Sequence, residues 1–165
     1  NCIFINNTAG TGASTTRVAA LYNYNGSSPS IVNTKFINNN SGLVVGAVYD
    51  TLNAAPKFTN VTFSNNSAAL ASGVYNTNNS TATITNSILW GDTQTQIVNS
   101  ITTGTSTTTV TYSDVQLSSG TYTGTGNLNI DPVFVNADFS LLDVTLPSIS
   151  IPSSSVCKSE PPAIR

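Results

Sequence analysis

Residues able to do acid–base or metal chemistry are few in this chain. Its 165 residues include no His, seven Asp and Glu, and five Lys and Arg. The acids are Asp50, Asp92, Asp114, Asp131, Asp138, Asp143 and Glu160, and the two arginines are Arg17 and Arg165. Glycoside hydrolysis needs two carboxyls about 5–9.5 Å apart. A polysaccharide lyase needs a carboxylate cluster for calcium and a basic residue to remove a proton. In the repeat alignment below, Asp50 falls at an Asn position after a third strand, Asp92 at an Asn corner and Asp114 on an outward column. No two share a column, which is how successive coils would bring carboxyls together. Asp131 precedes Pro132 and reads as a turn cap. No Cys pair stands at ligand spacing and no Asp-rich calcium loop is present. The expectation is a module with no catalytic residue, no metal and no cofactor.

Binding chemistry remains. Trp90 sits where equivalent coils carry Ile5, Ile37 and Ser64, an outward row, and an outward indole is a platform for a sugar ring. Thr83 and Thr85, with Thr109 and Thr111, occupy equivalent outward positions on two coils and would form a hydroxyl-bearing face. Ranked outward Thr also suits ice binding. The preceding coils, however, place Ser30 with Val32 and Lys57 with Thr59 in those ranks, and the Lys interrupts a regular face.

These residues owe their positions to an internal repeat. NCIFINN (1–7), NTKFINN (33–39), NVTFSNN (60–66), NSILWGD (86–92) and YSDVQLS (112–118) align on Phe4, Phe36, Phe63, Leu89 and Val115, at spacings of 32, 27, 26 and 26. The strand before each corner keeps step through Ile31, Phe58, Ile84 and Val110. The strand after it does so through Tyr22, Tyr49 and Tyr75, with Ile101 a further 26 residues on. The units are filled with Thr, Ser, Asn, Val and Ile, in short β-branched runs punctuated by Asn and Gly. A period in the twenties with this filling predicts an all-β chain, a right-handed parallel β-helix of about 26 residues and three short strands per coil. The extra residues of the first interval, in 8–17, bulge from the stack as a loop.

Asn at a corner tolerates a left-handed backbone, and its amide can bond the next coil. Asn33, Asn60 and Asn86 are expected to stack as one amide ladder, with Asn1 below. Asn38 and Asn65, with Asn6, form a second. Cys2 aligns with Thr34, Val61 and Ser87, which predicts a buried thiol. It reaches Cys157 only if the tail runs back along the stack.

Charged residues make up 7% of the chain against about 25% in ordinary domains, and the net charge is −2, which argues against nucleic acid and anionic membrane surfaces. No apolar run approaches the ~18 residues of a membrane span. The expected organisation is β-helix coils over 1–129, a C-terminal cap over 130–152 built on Phe134, Phe139 and Leu141, and a linker over 153–165 toward a further domain. The chain opens in mid-motif, so further coils or a cap are expected upstream. The Ser-, Thr- and Asn-rich, Lys-poor surface reads as extracellular.

The FxxN units at 4–7, 36–39 and 63–66, followed by GAVY (46–49) and SGVYN (72–76), resemble the motifs of polymorphic outer-membrane-protein repeats. ITNSILWGD (84–92), VTYSDVQ (110–116) and GTGNLNIDPVFVNADFSLL (124–142) resemble, in order, the C-terminal half of the bacterial surface β-helix domains called choice-of-anchor Q. The pattern departs over 143–155, where LPSISIPSS replaces that family's usual ending. The resemblance implies a right-handed β-helix on secreted or surface-anchored proteins, often adhesins, and brings no agreed catalytic residues. The function expected is an adhesive or structural stalk that contacts glycans or other surfaces. The alternatives are the non-catalytic part of a polysaccharide lyase or hydrolase with its active site upstream, an ice-binding solenoid, and a filament subunit.

Overall fold

A computed structural model describes residues 1–10 and 18–134. Among them there is no helix, and every strand pairing is parallel. The chain winds as a β-solenoid whose three sheets each take one strand per turn. Cys2–Ile5, Thr34–Ile37, Thr62–Ser64, Ile88–Trp90 and Asp114–Val115 form the first, here the Phe sheet. Leu21–Tyr24, Val48–Thr51, Val74–Asn76 and Ile97–Asn99 form the Tyr sheet. Ser30–Val32, Lys57–Thr59, Thr81–Thr85 and Thr107–Thr111 form the Thr sheet. A short pair, Thr8–Ala9 with Asn40–Ser41, lies at a corner.

The register reproduces two of the three expected columns. Phe4 pairs with Phe36, then Phe63, Leu89 and Val115 in turn. Ile31, Phe58, Ile84 and Val110 do the same in the Thr sheet. The third column diverges at its end: Tyr75 pairs with Val98, 23 residues on, and Ile101 is 81% exposed in the loop that follows. The strand there is Ile97–Asn99, because Asn99 continues the inward row of Asn23, Asp50 and Asn76, whereas Ile101 has no such neighbour.

Inside the solenoid, side chains of one row stack on the same row of the next turn. The Phe4, Phe36 and Phe63 rings stack 4.7 and 4.9 Å apart in nearly parallel planes, and Phe58 meets Phe63 edge-on at 5.7 Å. These join Val48, Val74, Ile84, Leu89, Val110 and Val115 in one core. On the middle turns of the Phe sheet the outward row is buried as well, a common condition of parallel strands, while Ile3 and Ile5 at the sheet's edge are 43% and 47% exposed. Ile37, Thr62, Ser64 and Ile88 point away from that core and are buried nonetheless. Asp114, expected on an outward column, is also buried; its Oδ1 accepts the Ile130 N–H at 3.1 Å. Cys2, expected to be buried, is exposed, since its strand is the edge of the Phe sheet. Of the expected cap only 130–134 is described, and Arg17, Cys157 and the 153–165 linker lie outside the described residues.

Candidate functional site

The corners carry a division of labour among the asparagines. Asn33, Asn60 and Asn86 hold φ near +50°, and Asn60 Nδ2 donates to Asn33 Oδ1 at 3.1 Å. Tyr112 takes the same backbone on the next turn. Asn6, Asn38 and Asn65 are also left-handed, but their side chains face solvent. The stacked amides at that corner belong to the following residue. Asn7 Nδ2 donates to Asn39 Oδ1 at 2.7 Å, Asn39 Nδ2 to Asn66 Oδ1 at 2.9 Å, and Asn66 Nδ2 to Asp92 Oδ1 at 3.1 Å. The expected ladder through Asn38 and Asn65 therefore runs one position on. A left-handed residue swings its own side chain outward and leaves its successor aimed inward.

The candidate binding residues do not assemble into one surface. Thr83 pairs with Thr109 and Thr85 with Thr111, with Thr85 and Thr111 hydroxyls 3.2 Å apart. Lys57 and Thr59 pair with Thr83 and Thr85 on the preceding turn, and Ser30 and Val32 precede those. Trp90 belongs to the Phe sheet, in the row of Ser64 and Ile37, and is half-buried there. It thus stands on a different sheet from the Thr rows and is only partly open to a ligand.

A third surface is better formed. Strict alternation on the Tyr sheet turns Val48, Asp50 and their equivalents inward and the tyrosines outward. Tyr22, Tyr49 and Tyr75 stack with ring centroids 5.3 Å apart at each step. Tyr24 leans against Tyr22 at 5.8 Å with a 39° tilt. Tyr22 and Tyr24 are 49% and 51% exposed. Together with Val18, Tyr49, Thr51, Leu52 and Asn78 they line a cleft of about 500 Å³. Asn78 Nδ2 donates to Thr51 Oγ1 at 2.8 Å and fixes the cleft's floor on the C-terminal side.

Leu52 is the unusual member. It has φ +53°, a region costly for an L-residue, where the equivalent turns place Asn25 and Asn78. An outward apolar residue stands in a left-handed corner that Asn would fill with less strain, and such strain collects at functional positions.

Among the described residues no Lys, Arg, Asp or Glu lines the cleft. Burial pushes the Tyr22 phenol up, with Tyr24 adding to it. Burial likewise raises Tyr49, opposed by its hydrogen bond to Thr51 and reinforced by Tyr22 and Tyr75. Both phenols are neutral across the physiological range and offer O–H donors and acceptors beside aromatic rings. Sequence reasoning found the Tyr column but not Tyr24 or Leu52. The LYNY alternation of 21–24 was the available signal for Tyr24.

Two carboxyls lie deep within ladders. Burial pushes Asp50 up to about 7, opposed by the hydrogen bond from Asn23. Burial pushes Asp92 up to about 7 against the Asn66 backbone and side-chain N–H groups. Their Oδ2 atoms are buried without a partner. Neither acid faces the cleft, and no group of three or more His, Cys, Asp or Glu able to hold a metal occurs among the described residues. No helix among the described residues is long and apolar enough to cross a membrane. No protein-family model matches the chain, and no curated protein or solved structure matches it either.

Proposed function

We propose that the chain is a module of a bacterial secreted or cell-surface protein, a rigid spacer that also holds neutral glycans in the Tyr22–Tyr24–Tyr49 cleft. The observation that carries this reading is an open cleft whose described lining is uncharged and whose walls are half-exposed tyrosine rings. A pyranose presents C–H faces to aromatic rings and hydroxyls to phenol, Thr and amide groups. The inner faces of the Tyr22–Tyr49–Tyr75 stack are occupied by one another. The surfaces open to a sugar are therefore the free side of Tyr22 and the tilted Tyr24 ring. The Thr rows, with Lys57 among them, supply a secondary polar surface.

The test exposes the protein to soluble and insoluble neutral and acidic polysaccharides and scores both depletion and new reducing ends or unsaturated uronate. Depletion by a neutral glycan without product is expected. Tyr24→Ala should weaken that binding about tenfold, the equivalent of ~1.4 kcal/mol for one lost aromatic contact, with the midpoint of unfolding unchanged. Product formation, or binding indifferent to both Tyr22→Ala and Tyr24→Ala, would overturn the reading.

A further inference from the structure

Behind the cleft, on the inner side of the same strands, lies a row in which hydrogen bonding fails to close. Asn23, Asp50, Asn76 and Asn99 are partners in register on four successive turns. Asn23 Nδ2 donates to Asp50 Oδ1 at 2.7 Å. Two turns on, Asn76 Nδ2 donates to Asn99 Oδ1 at 3.0 Å and to Thr108 Oγ1 at 2.6 Å, and the Thr108 hydroxyl donates to Asn99 Oδ1 at 2.7 Å. Two acceptors on consecutive turns are left over: Asp50 Oδ2 and Asn76 Oδ1 are buried with no donor. Buried acceptors without a donor, here on residues in register on adjacent turns, cost free energy, a few kcal/mol for each group left unpaired.

Both atoms are closed to solvent. We propose that Asp50 stands in this row as a neutral carboxylic acid whose Oδ2–H donates to Asn76 Oδ1, making the row a proton-dependent tie between the turns that carry Tyr49 and Tyr75. One proton turns an acceptor into a donor and completes the ladder from Asn23 to Asn99. Burial, which disfavours the carboxylate, acts in the same direction.

The charged and titratable groups described around Asp50 are few. On the strands of its own sheet the titratable side chains are Tyr22, Tyr24, Tyr49 and Tyr75, all on the opposite face. From the Thr sheet, Lys57 points to solvent. On the interior side Tyr122 hydrogen-bonds Asn99, and burial raises its phenol. Among the described residues no cation acts on the carboxylate. When Asp50 ionises, Asn76 must turn its amide over or the two turns must part. Either change acts on the residues adjoining Tyr49 and Tyr75. The bearing on ligand affinity rests on the proposed cleft; the proton itself does not.

The test is a ¹³C titration of side-chain carboxyls in the 165-residue chain from pH 4 to 9, with Asp50→Asn identifying the resonance. Asn recurs at this row on the flanking turns, so that variant is expected to fold. Should it not, seven acids are few enough to assign in the native chain. The expected result is an Asp50 midpoint near 7, with the Tyr49 and Tyr75 ring signals moving through the same transition. The unfolding midpoint of the native chain should fall by roughly 10 °C across that range beyond any fall seen for Asp50→Asn. An Asp50 midpoint below 5 would overturn the proposal and mean an ionised carboxylate served by reversed amides. A midpoint near 7 with unmoved tyrosine signals would overturn the coupling to the cleft. None of these readouts needs a ligand, so failure of the glycan assay leaves them intact.

Discussion

At the residue scale, neighbouring asparagines do different work, and substitution separates them. Asn66 accepts from the Asn39 N–H and Nδ2 and donates to the Phe36 carbonyl and to Asp92. Asn66→Ala leaves the buried Asn39 N–H unpaired and should cost about 2 kcal/mol, read by denaturant unfolding. Asn65 contributes its left-handed backbone, so Asn65→Gly should stay within about 0.5 kcal/mol of the native chain. Leu52→Asn relieves a strained corner and should gain about 1 kcal/mol while weakening glycan binding, an opposition that marks a functional residue. The sequence located these corners through their Asn pairs. Which member of each pair turns inward was not legible, because it depends on which one takes φ > 0. Tyr112, at the same corner as Asn86, shows that residue type alone does not identify the position.

At the scale of strands, apolar spacing was sufficient where every turn repeats one residue class. Phe4, Phe36, Phe63, Leu89 and Val115 stack because each row packs on its own kind, and the parallel register follows. Phe36 lies between Phe4 and Phe63 and is fully buried. Phe36→Ala should therefore cost about 4 kcal/mol, with the near-ultraviolet circular dichroism of the stack lost before the strands melt. Spacing failed where it met a loop of changed length. Ile101 continues the arithmetic, but Val98 continues the structure, since the inward Asn99 fixes the face and a slip would bury Val98 and expose Asn99. The cleft was only partly legible for a related reason. It joins residues from three turns and a strained corner, and no single column contains it.

For the molecule as a whole, buried acids set an unusual pH dependence. Asp50 and Asp92 rest near 7 when folded, against an ordinary value of 3.8. Burial raises Asp114 as well, with Asp131 adding and the Ile130 hydrogen bond opposing. A folded value above the unfolded one means that the stability contributed is complete below about pH 4 and is lost as pH rises through 7, by up to ~4 kcal/mol for each of the two deeper acids. Thermal midpoints are expected to climb as pH falls from 8.5 to 5. Asp92→Asn should raise the midpoint at pH 8.5 and leave it nearly unchanged at pH 5; equal shifts at both would contradict the assignment.

The pairing of each turn with the next also has a mechanical meaning. Parallel rungs joined in register about 26 residues apart, as Phe63 is with Leu89, form bonds that lie along the solenoid axis. A pull on that axis loads one rung at a time and opens them in succession, as in a zipper. Each rung that yields frees the contour of one turn, on the order of 90 Å for an extended chain. Stretching single molecules should give a sawtooth of nearly equal steps, so that the solenoid would lengthen under load in increments set by its own repeat.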